Sequence, residues 1–147
     1  MLLTVARLGI RVGDLCRLQF CNIDWRNNKI EFVQGKTQTK VALPLLKDVG
    51  WALIDYIQNG RPKVETPYIF VTHVAPFKQF EEGNHHHRMV SKYMELAHLP
   101  NTHTQKCGMH SLRHTLATTM LENHEDYHNI SAALGHKSEE SAAVYIK

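Results

Sequence analysis

The sequence predicts a mainly helical α+β domain with a small three-stranded antiparallel sheet at one edge. In several stretches apolar residues recur with the 3.6-residue period of amphipathic helices, whereas between residues 20 and 44 they alternate with the two-residue period of strands. The chain has 147 residues, of which 43% are apolar and 21% charged, as expected for one globular domain with a full core. The sequence contains no repeat, low-complexity tract or linker, so residues 1–147 are predicted to form a single domain.

Composition excludes several classes of protein. No apolar run approaches the roughly 20 residues of a membrane span, and a signal-peptide pattern is missing. Cys16, Cys21 and Cys107 are odd in number and form no CxxC pair, which favours free thiols in a reducing cytoplasm over a disulfide or zinc scaffold. A net charge of +3 is a weak indication of a polyanionic partner. We therefore expect a cytoplasmic protein that makes no membrane contact.

The chain opens with two short helices. The first is apolar and ends near Leu8, before Gly9, and the second begins at Val12 with Asp14 near its start to complement the helix dipole. Arg11 therefore lies at the turn into a helix, a place where anions bind readily.

Residues 20–44 are predicted to form the sheet. Ile30 and Phe32 alternate with polar residues, and turn residues at 26–28 make a hairpin with the preceding strand. A second turn follows at 34–38, where Gly35 is predicted to adopt a positive φ, and residues 41–44 close an edge strand. Lys36 is thus placed on an exposed turn.

Two further helices are predicted before residue 100. Asp48 is expected to cap the first, which Gly60 and Pro62 end. The second runs from about residue 87 to 98, with four residues predicted to face the core: Val90, Tyr93, Met94 and Ala97.

The most informative stretch is the helix around His110. Ser111 is predicted to be its N-cap, and the apolar residues Leu112, Leu116 and Met120 recur at helical spacing. His110 and Arg113 lie three residues apart at its start, where a guanidinium fork, an imidazole and the helix dipole together suit a phosphate. A shorter helix is predicted to stop at Gly135, and a last helix, capped by Ser138, to carry Tyr145 near its end.

Eleven histidines raise the question of a metal site. Residues 85–87 are all histidine, and His110/His114 and His124/His128 are spaced four apart, which places two imidazoles on one side of a helix. No HExxH motif occurs, and no acidic or cysteine partner has a ligand-like spacing. We therefore predict no metal and interpret residues 85–87 as a solvated helix start.

Five separated signatures, in order, resemble the catalytic domain of the tyrosine recombinases of the phage and conjugative-transposon integrase type. LGIRV at residues 8–12 is similar to the family's first arginine box, and QGK at 34–36 to its β-hairpin lysine. HSLRH at 110–114 resembles the family's HxxR box, and LGH at 134–136 resembles its LGH box. Tyr145 follows His136 at the interval expected for the nucleophile. One such signature is weak, whereas five in register are specific.

The resemblance implies a chemical role for each matched residue. Tyr145 is the nucleophile, Arg11 and Arg113 hold the nonbridging phosphate oxygens, and His136 adds a hydrogen bond to the phosphate. His110 helps to remove the phenolic proton, and Lys36 is the general acid for the departing 5′ oxygen. Asp14 and His114 support these groups, Asp14 by orienting Arg11. No metal or other cofactor is required.

The resemblance also implies partners and a domain organisation. The partners are double-stranded DNA recombination sites, bound by a homotetramer that is a monomer in isolation. The usual N-terminal core-binding domain and the segment after the nucleophile are not found, so we expect a fragment. His124 replaces a glycine that often ends the HxxR helix, which predicts a turn that is either strained or differently shaped.

Three other functions stay open at this point. A type IB topoisomerase uses a similar pocket to relax DNA, although the short hairpin and the compact spacing from HxxR to tyrosine favour a recombinase. A catalytically inactive, integrase-like DNA-binding regulator is a second alternative. A histidine-metal hydrolase is the third.

Overall fold

The computed structural model describes residues 1–81, 83, 86–99 and 108–134. Six α-helices and three strands form a mainly helical α+β domain, which confirms the predicted fold class. The helices are α1 (Leu2–Leu8), α2 (Val12–Cys16), α3 (Lys47–Asp55), α4 (His86–Leu96), α5 (Met109–Glu122) and α6 (Tyr127–Leu134). The strands are β1 (Ile23–Asp24), β2 (Lys29–Val33) and β3 (Lys40–Pro44). Residues Phe20–Asn22, which were predicted to be part of a strand, form a 3₁₀ turn before β1. A π-helical turn (Tyr56–Gly60) continues α3 to its predicted end at Gly60.

The sheet is antiparallel with the order β1-β2-β3, as predicted. Ile30 lies opposite Leu43 and Phe32 opposite Val41, so the buried side chains of the two strands share one face. The β1–β2 turn is closed by Asp24, which accepts hydrogen bonds from the side chain of Asn27 (2.7 Å) and from the main-chain N–H groups of Asn27 and Arg26. The side-chain hydrogen bond from Asn27, followed by the main-chain ones, lowers the pKa of Asp24.

The inner face of the sheet and helices α1 to α3 share one hydrophobic core. The apolar segment at residues 69–71 lies in this region and is almost fully buried. A second, smaller cluster joins α5 to α6 through Ala117, Ile130 and Leu134. In the turn after α1, Ile10 belongs to the first cluster and Gly9 lies beside Leu116 and Leu134 of the second, so this turn contacts both.

Helix α5 begins earlier than predicted. Its N-cap is Gly108, and Ser111 lies in the first turn, where its hydroxyl accepts a hydrogen bond from the N–H of Gly108 (3.3 Å). The fully buried side of the helix is formed by Met109, Arg113 and Ala117. The predicted apolar stripe at 112, 116 and 120 is only partly buried. Periodicity assigns the inner face of α5 to its leucines, whereas the structure buries Arg113 on that face.

Two smaller predictions are wrong. Asp48 does not cap α3, whose N-cap is Leu46; its carboxylate accepts hydrogen bonds from Arg7 Nε (2.8 Å) and from the N–H of Val49 (2.9 Å). On α4, Val90 is buried as predicted, but Tyr93 is 56% exposed and Ala97, just beyond the helix, is also exposed. Helix α4 packs against the core through Val90 and Met94, whereas Tyr93 lies on its exposed side.

Helices α1 and α5 both end in a residue with left-handed backbone conformation. At α1 this residue is Gly9 (φ 62°), whose N–H donates to the carbonyl of Val5 (2.9 Å). At α5 it is His124 (φ 60°), with hydrogen bonds from His124 N–H to Leu121 (3.0 Å) and from Glu125 N–H to Met120 (3.0 Å). These two bonds are those of a Schellman motif, in which glycine is preferred, so the predicted strain at His124 is confirmed.

The substitution His124→Gly is expected to stabilise the protein by about 0.5–1 kcal/mol, because relief of the left-handed backbone outweighs the entropy that glycine adds to the unfolded chain. Urea unfolding measures it as a higher midpoint at unchanged slope. The matched control is Asn123→Gly, since Asn123 has a φ of −84° and glycine gains nothing there. Equal effects of the two substitutions would contradict the interpretation.

Gly9→Ala is expected to destabilise the protein by about 2–4 kcal/mol, the sum of a left-handed alanine and an overpacked contact. An added Cβ would lie 2.6 Å from Leu134 Cδ2 and 3.1 Å from Leu116 Cδ2. The control is Gly50→Ala inside α3, where the nearest atom is 3.6 Å away and alanine is expected to stabilise the helix by about 0.5–1 kcal/mol. The same unfolding assay tests both, and a Gly9→Ala variant as stable as the parent would refute the argument.

Candidate active site

Arg113 is buried on the inner side of α5, with 6% of its surface exposed. Its Nη1 donates a hydrogen bond to the carbonyl of Gly9, and its Nη2 to the carbonyl of Leu134 (2.8 Å). A buried guanidinium is tolerated only when carbonyls or anions accept its N–H groups. Arg113 therefore joins α5 to the turn before Arg11 and to the end of α6.

Gln34 reaches the same carbonyl from the sheet. Its Nε2 donates to the carbonyl of Leu134 (3.3 Å), and its Oε1 accepts from the hydroxyl of Thr37 (2.7 Å). Gln34 was not among the predicted site residues. The available signal was the alternation of β2, which continues from Ile30 and Phe32 and places Gln34, a polar residue, at a buried position.

Arg11 is the N-cap residue of α2, with extended backbone (φ −64°, ψ 143°). Its Nη1 is buried and has no hydrogen-bond partner among the residues that the structure describes. Gly9, whose carbonyl holds Arg113, lies two residues before it. A buried N–H of a cation costs free energy until an acceptor binds it, so this atom favours an anion.

Asp14 does not orient Arg11, as had been predicted from the resemblance. Its Oδ1 accepts one hydrogen bond from Arg17 Nη2 (2.8 Å) and one from the N–H of Gly35 (2.8 Å). The carboxylate therefore faces the β2–β3 turn, because Asp14 lies on α2 on the side that contacts the hairpin. Asp14 is thus bonded to the residue that precedes Lys36.

Lys36 is exposed at the tip of the β2–β3 turn, as predicted. The turn is held by hydrogen bonds from Gln34 N–H to the Thr39 carbonyl (2.9 Å) and from Gln38 N–H to the Gln34 carbonyl (2.8 Å). The residue with positive φ is Gln38 (54°), so the prediction that Gly35 takes this role is wrong. Gly35 serves to let Arg17 and Asp14 approach the backbone.

His110 is exposed in the first turn of α5, one turn before Arg113. It lines a cavity of about 380 Å³ together with Val12, the residue after Arg11. The other lining residues are Gly83, His86, His87, Gly108 and Met109. His114 lies one turn further along on the exposed side of α5. The structure thus places His110 beside the Arg11 turn and His114 outside the cavity.

The prediction that residues 85–87 form a solvated helix start is wrong for His86. His86 is 7% exposed, and its Nε2 donates to the carbonyl of Glu81 (2.9 Å) and lies 3.6 Å from Cys16 Sγ. His87 is exposed as predicted. Within the described part of the chain, no three histidine, cysteine or acidic residues come together in a way that could hold a metal ion.

Several predictions lie outside the described residues. They include His85, Cys107, His136, Tyr145 and the last helix. Cys16 and Cys21 are free thiols, as predicted. None of the helices in the described ranges is long and apolar enough to cross a membrane.

Comparison with known proteins identifies relatives of this arrangement. A Sinorhizobium fredii protein with the provisional name integrase/recombinase is 35% identical over 147 residues, which are 100% of this chain and 34% of the relative. Tyrosine recombinase XerC of Halalkalibacterium halodurans is 29% identical over 143 residues, 97% of this chain and 47% of the relative. The chain therefore spans between a third and a half of the length of these two relatives.

Solved structures share the fold. The XerA recombinase crystal structure superposes with a TM-score of 0.80 at 27% identity, covering 98% of this chain and 49% of that one. A lambda integrase dimer bound to a core site superposes with a TM-score of 0.69 at 21% identity, over 99% of this chain and 50% of that one, which shows the shared fold alone. The sequence profile described as the phage integrase family matches residues 1–147. The chain, with its buried Arg113, its Arg11 turn and its hairpin lysine, thus belongs to the phage integrase family of tyrosine recombinases.

Proposed function

We propose that the protein is a site-specific DNA recombinase that cuts and rejoins DNA strands through a covalent 3′-phosphotyrosyl intermediate on Tyr145. The observation that carries the proposal is the buried Nη1 of Arg11, which has no partner among the described residues and lies on the turn that also binds Arg113. A phosphodiester supplies the acceptor that this N–H lacks. The names of the relatives, a tyrosine recombinase and an integrase bound to its core site, support the same reading.

The main barrier to the reaction is the negative charge that builds up on the nonbridging phosphate oxygens. Arg11 and Arg113 oppose this charge with positively charged, planar guanidinium groups. Arg113 is fixed in advance by two carbonyls, so little reorganisation is needed when the phosphate arrives. His136 is proposed to donate a third hydrogen bond to the phosphate. These groups stabilise the negative charge that metal ions stabilise in a two-metal nuclease.

The covalent step exchanges one phosphoester bond for another. The Tyr145 oxygen attacks phosphorus and forms the P–O bond of the 3′-phosphotyrosyl link while the bond to the 5′ oxygen breaks. His110 takes the phenolic proton, and the Lys36 ammonium gives a proton to the departing 5′ oxygen. Tyrosine needs the base because its ordinary pKa of about 10 makes it a poor nucleophile at neutral pH. A 5′-hydroxyl of another strand reverses the step, so no external energy source is required.

The proposed partner is a double-stranded DNA recombination site. Joining two duplexes requires four strand cleavages, so a homotetramer on DNA, assembled from monomers, provides one nucleophile for each. The exposed Lys36 turn is the part of the described chain suited to reach DNA, since it projects past the sheet while its neighbours are held. Regulators and topoisomerases that share this fold differ from a recombinase in the products they make.

Tyr145→Phe is expected to abolish a denaturation-resistant protein–DNA adduct while DNA binding is retained, because only the nucleophilic oxygen is removed. The measurement uses the full-length protein, a nicked suicide duplex carrying its recombination site, and buffer with a metal chelator. A band that survives Tyr145→Phe would identify another nucleophile.

The other outcomes separate the alternatives. Binding without an adduct by the unmodified protein indicates an inactive regulator. Relaxation of supercoiled plasmid lacking a recombination site indicates a topoisomerase. Cleavage that the chelator stops indicates a metal-dependent hydrolase.

Lys36→Ala is expected to slow adduct formation by about 10²–10³-fold on ordinary DNA, the usual contribution of a general acid. On a duplex with sulfur at the bridging 5′ position the defect is expected to disappear, because a thiolate leaves without a proton. Lys40→Ala is the matched control, since Lys40 is an exposed lysine of the same hairpin, 3.8 Å from Glu31. An equal loss on both duplexes would assign Lys36 to binding instead of proton transfer.

A further inference from the structure

Arg17, Asp14 and Gly35 form the contact between α2 and the turn that carries Lys36. We call these three residues the Arg17 clamp. Asp14 Oδ1 accepts hydrogen bonds from Arg17 Nη2 and from the N–H of Gly35, each 2.8 Å long. The Asp14 side chain is 2% exposed, whereas the Arg17 side chain is 49% exposed, so the carboxylate is buried and its two donors reach it from the surface. Lys36 follows Gly35 directly, so the clamp acts one residue from the proposed acid.

The space beside Gly35 is occupied by the guanidinium of Arg17. A Cβ built on Gly35 would lie 2.2 Å from Arg17 Nη2 and 2.9 Å from Arg17 Cζ. Atoms do not approach this closely, and the end of an arginine side chain moves more easily than a backbone. An alanine at position 35 therefore displaces Arg17 from Asp14. The requirement for glycine comes from this approach, because its φ is not in the left-handed region.

We propose that Arg17 is a positioning residue that, through Asp14 and Gly35, holds the β2–β3 turn so that Lys36 reaches the departing 5′ oxygen. The inference rests on the function proposed above, in which Lys36 donates its proton to that oxygen. Arg17 also balances the charge of the buried Asp14 carboxylate. Without this cation, burying the carboxylate would cost more free energy. Gln34 holds the other side of the same turn through the Leu134 carbonyl. The turn is thus fastened to α6 and to α2 through the two residues that precede the exposed lysine.

The first test compares the rate of adduct formation on the two duplexes described for Lys36. Arg17→Ala is expected to slow the reaction about 10- to 100-fold on ordinary DNA, as small misplacements of a catalytic group do, and to have little effect on the duplex with a 5′-bridging sulfur. Arg7→Ala is the matched control: Arg7 forms an ion pair of the same length, 2.8 Å, with Asp48, far from the turn in sequence, and is expected to leave both rates unchanged. Equal slowing on both duplexes by Arg17→Ala would overturn the proposal.

The second test is a double-mutant cycle. Gly35→Ala is expected to reproduce the defect of Arg17→Ala, because the added methyl group displaces the guanidinium. In the Arg17→Ala background Gly35→Ala is expected to add little, since the group it displaces is already gone. Defects that multiply would show that the two residues act independently and would overturn the clamp.

The third test does not depend on catalysis. Trypsin cleavage after Lys36 in the protein without DNA is expected to be at least several-fold faster in Arg17→Ala and unchanged in Arg7→Ala, because only the former releases the turn. Unchanged cleavage in Arg17→Ala would refute the clamp itself. If the clamp is confirmed but Lys36→Ala keeps its defect on the sulfur duplex, the proposed role of Lys36 fails, and with it the assignment of Arg17 to proton transfer.

Discussion

The arrangement of the candidate site depends on the main-chain carbonyl of Leu134. This carbonyl accepts hydrogen bonds from Arg113 Nη2 (2.8 Å) and Gln34 Nε2 (3.3 Å), while the Leu134 side chain is fully buried against α5. Helix α5, the end of β2 and the end of α6 therefore meet at one atom. Because a buried guanidinium and a buried amide are each costly without an acceptor, displacing any one element leaves the others unsatisfied. Leu134 is also the first residue of the LGH signature.

Positive charge is concentrated where these elements meet. Arg113 is held by carbonyls, and Arg11, two residues after the Gly9 carbonyl that binds Arg113, has an N–H without an acceptor in the described parts of the chain. Keeping such groups in a folded protein costs stability that an apolar pair would not. That cost becomes useful when a phosphate binds, since the donors are already oriented and need no reorganisation.

The hairpin lysine illustrates how an exposed residue is positioned without being buried. Lys36 stays in solvent, whereas Gln34 and Gly35, the two residues before it, are bonded to α6 and α2 respectively. Arg17 completes the second attachment and explains why position 35 lacks a side chain. The turn combines a free tip with a fixed base, which suits a group that approaches DNA and then returns to a defined place.

The sequence by itself determined the order and type of the elements, since helical and strand periods are local properties of the chain. Its short signatures also predicted Arg11, Lys36 and Arg113 as site residues. Only the tertiary structure decided which groups they contact. The Gln34–Leu134 and Arg113–Gly9 hydrogen bonds join residues about a hundred positions apart, and such pairs leave no periodic trace. The buried side of α5 was misplaced for a related reason: periodicity assigns the inner face to apolar residues, whereas here distant carbonyls make it favourable to bury an arginine.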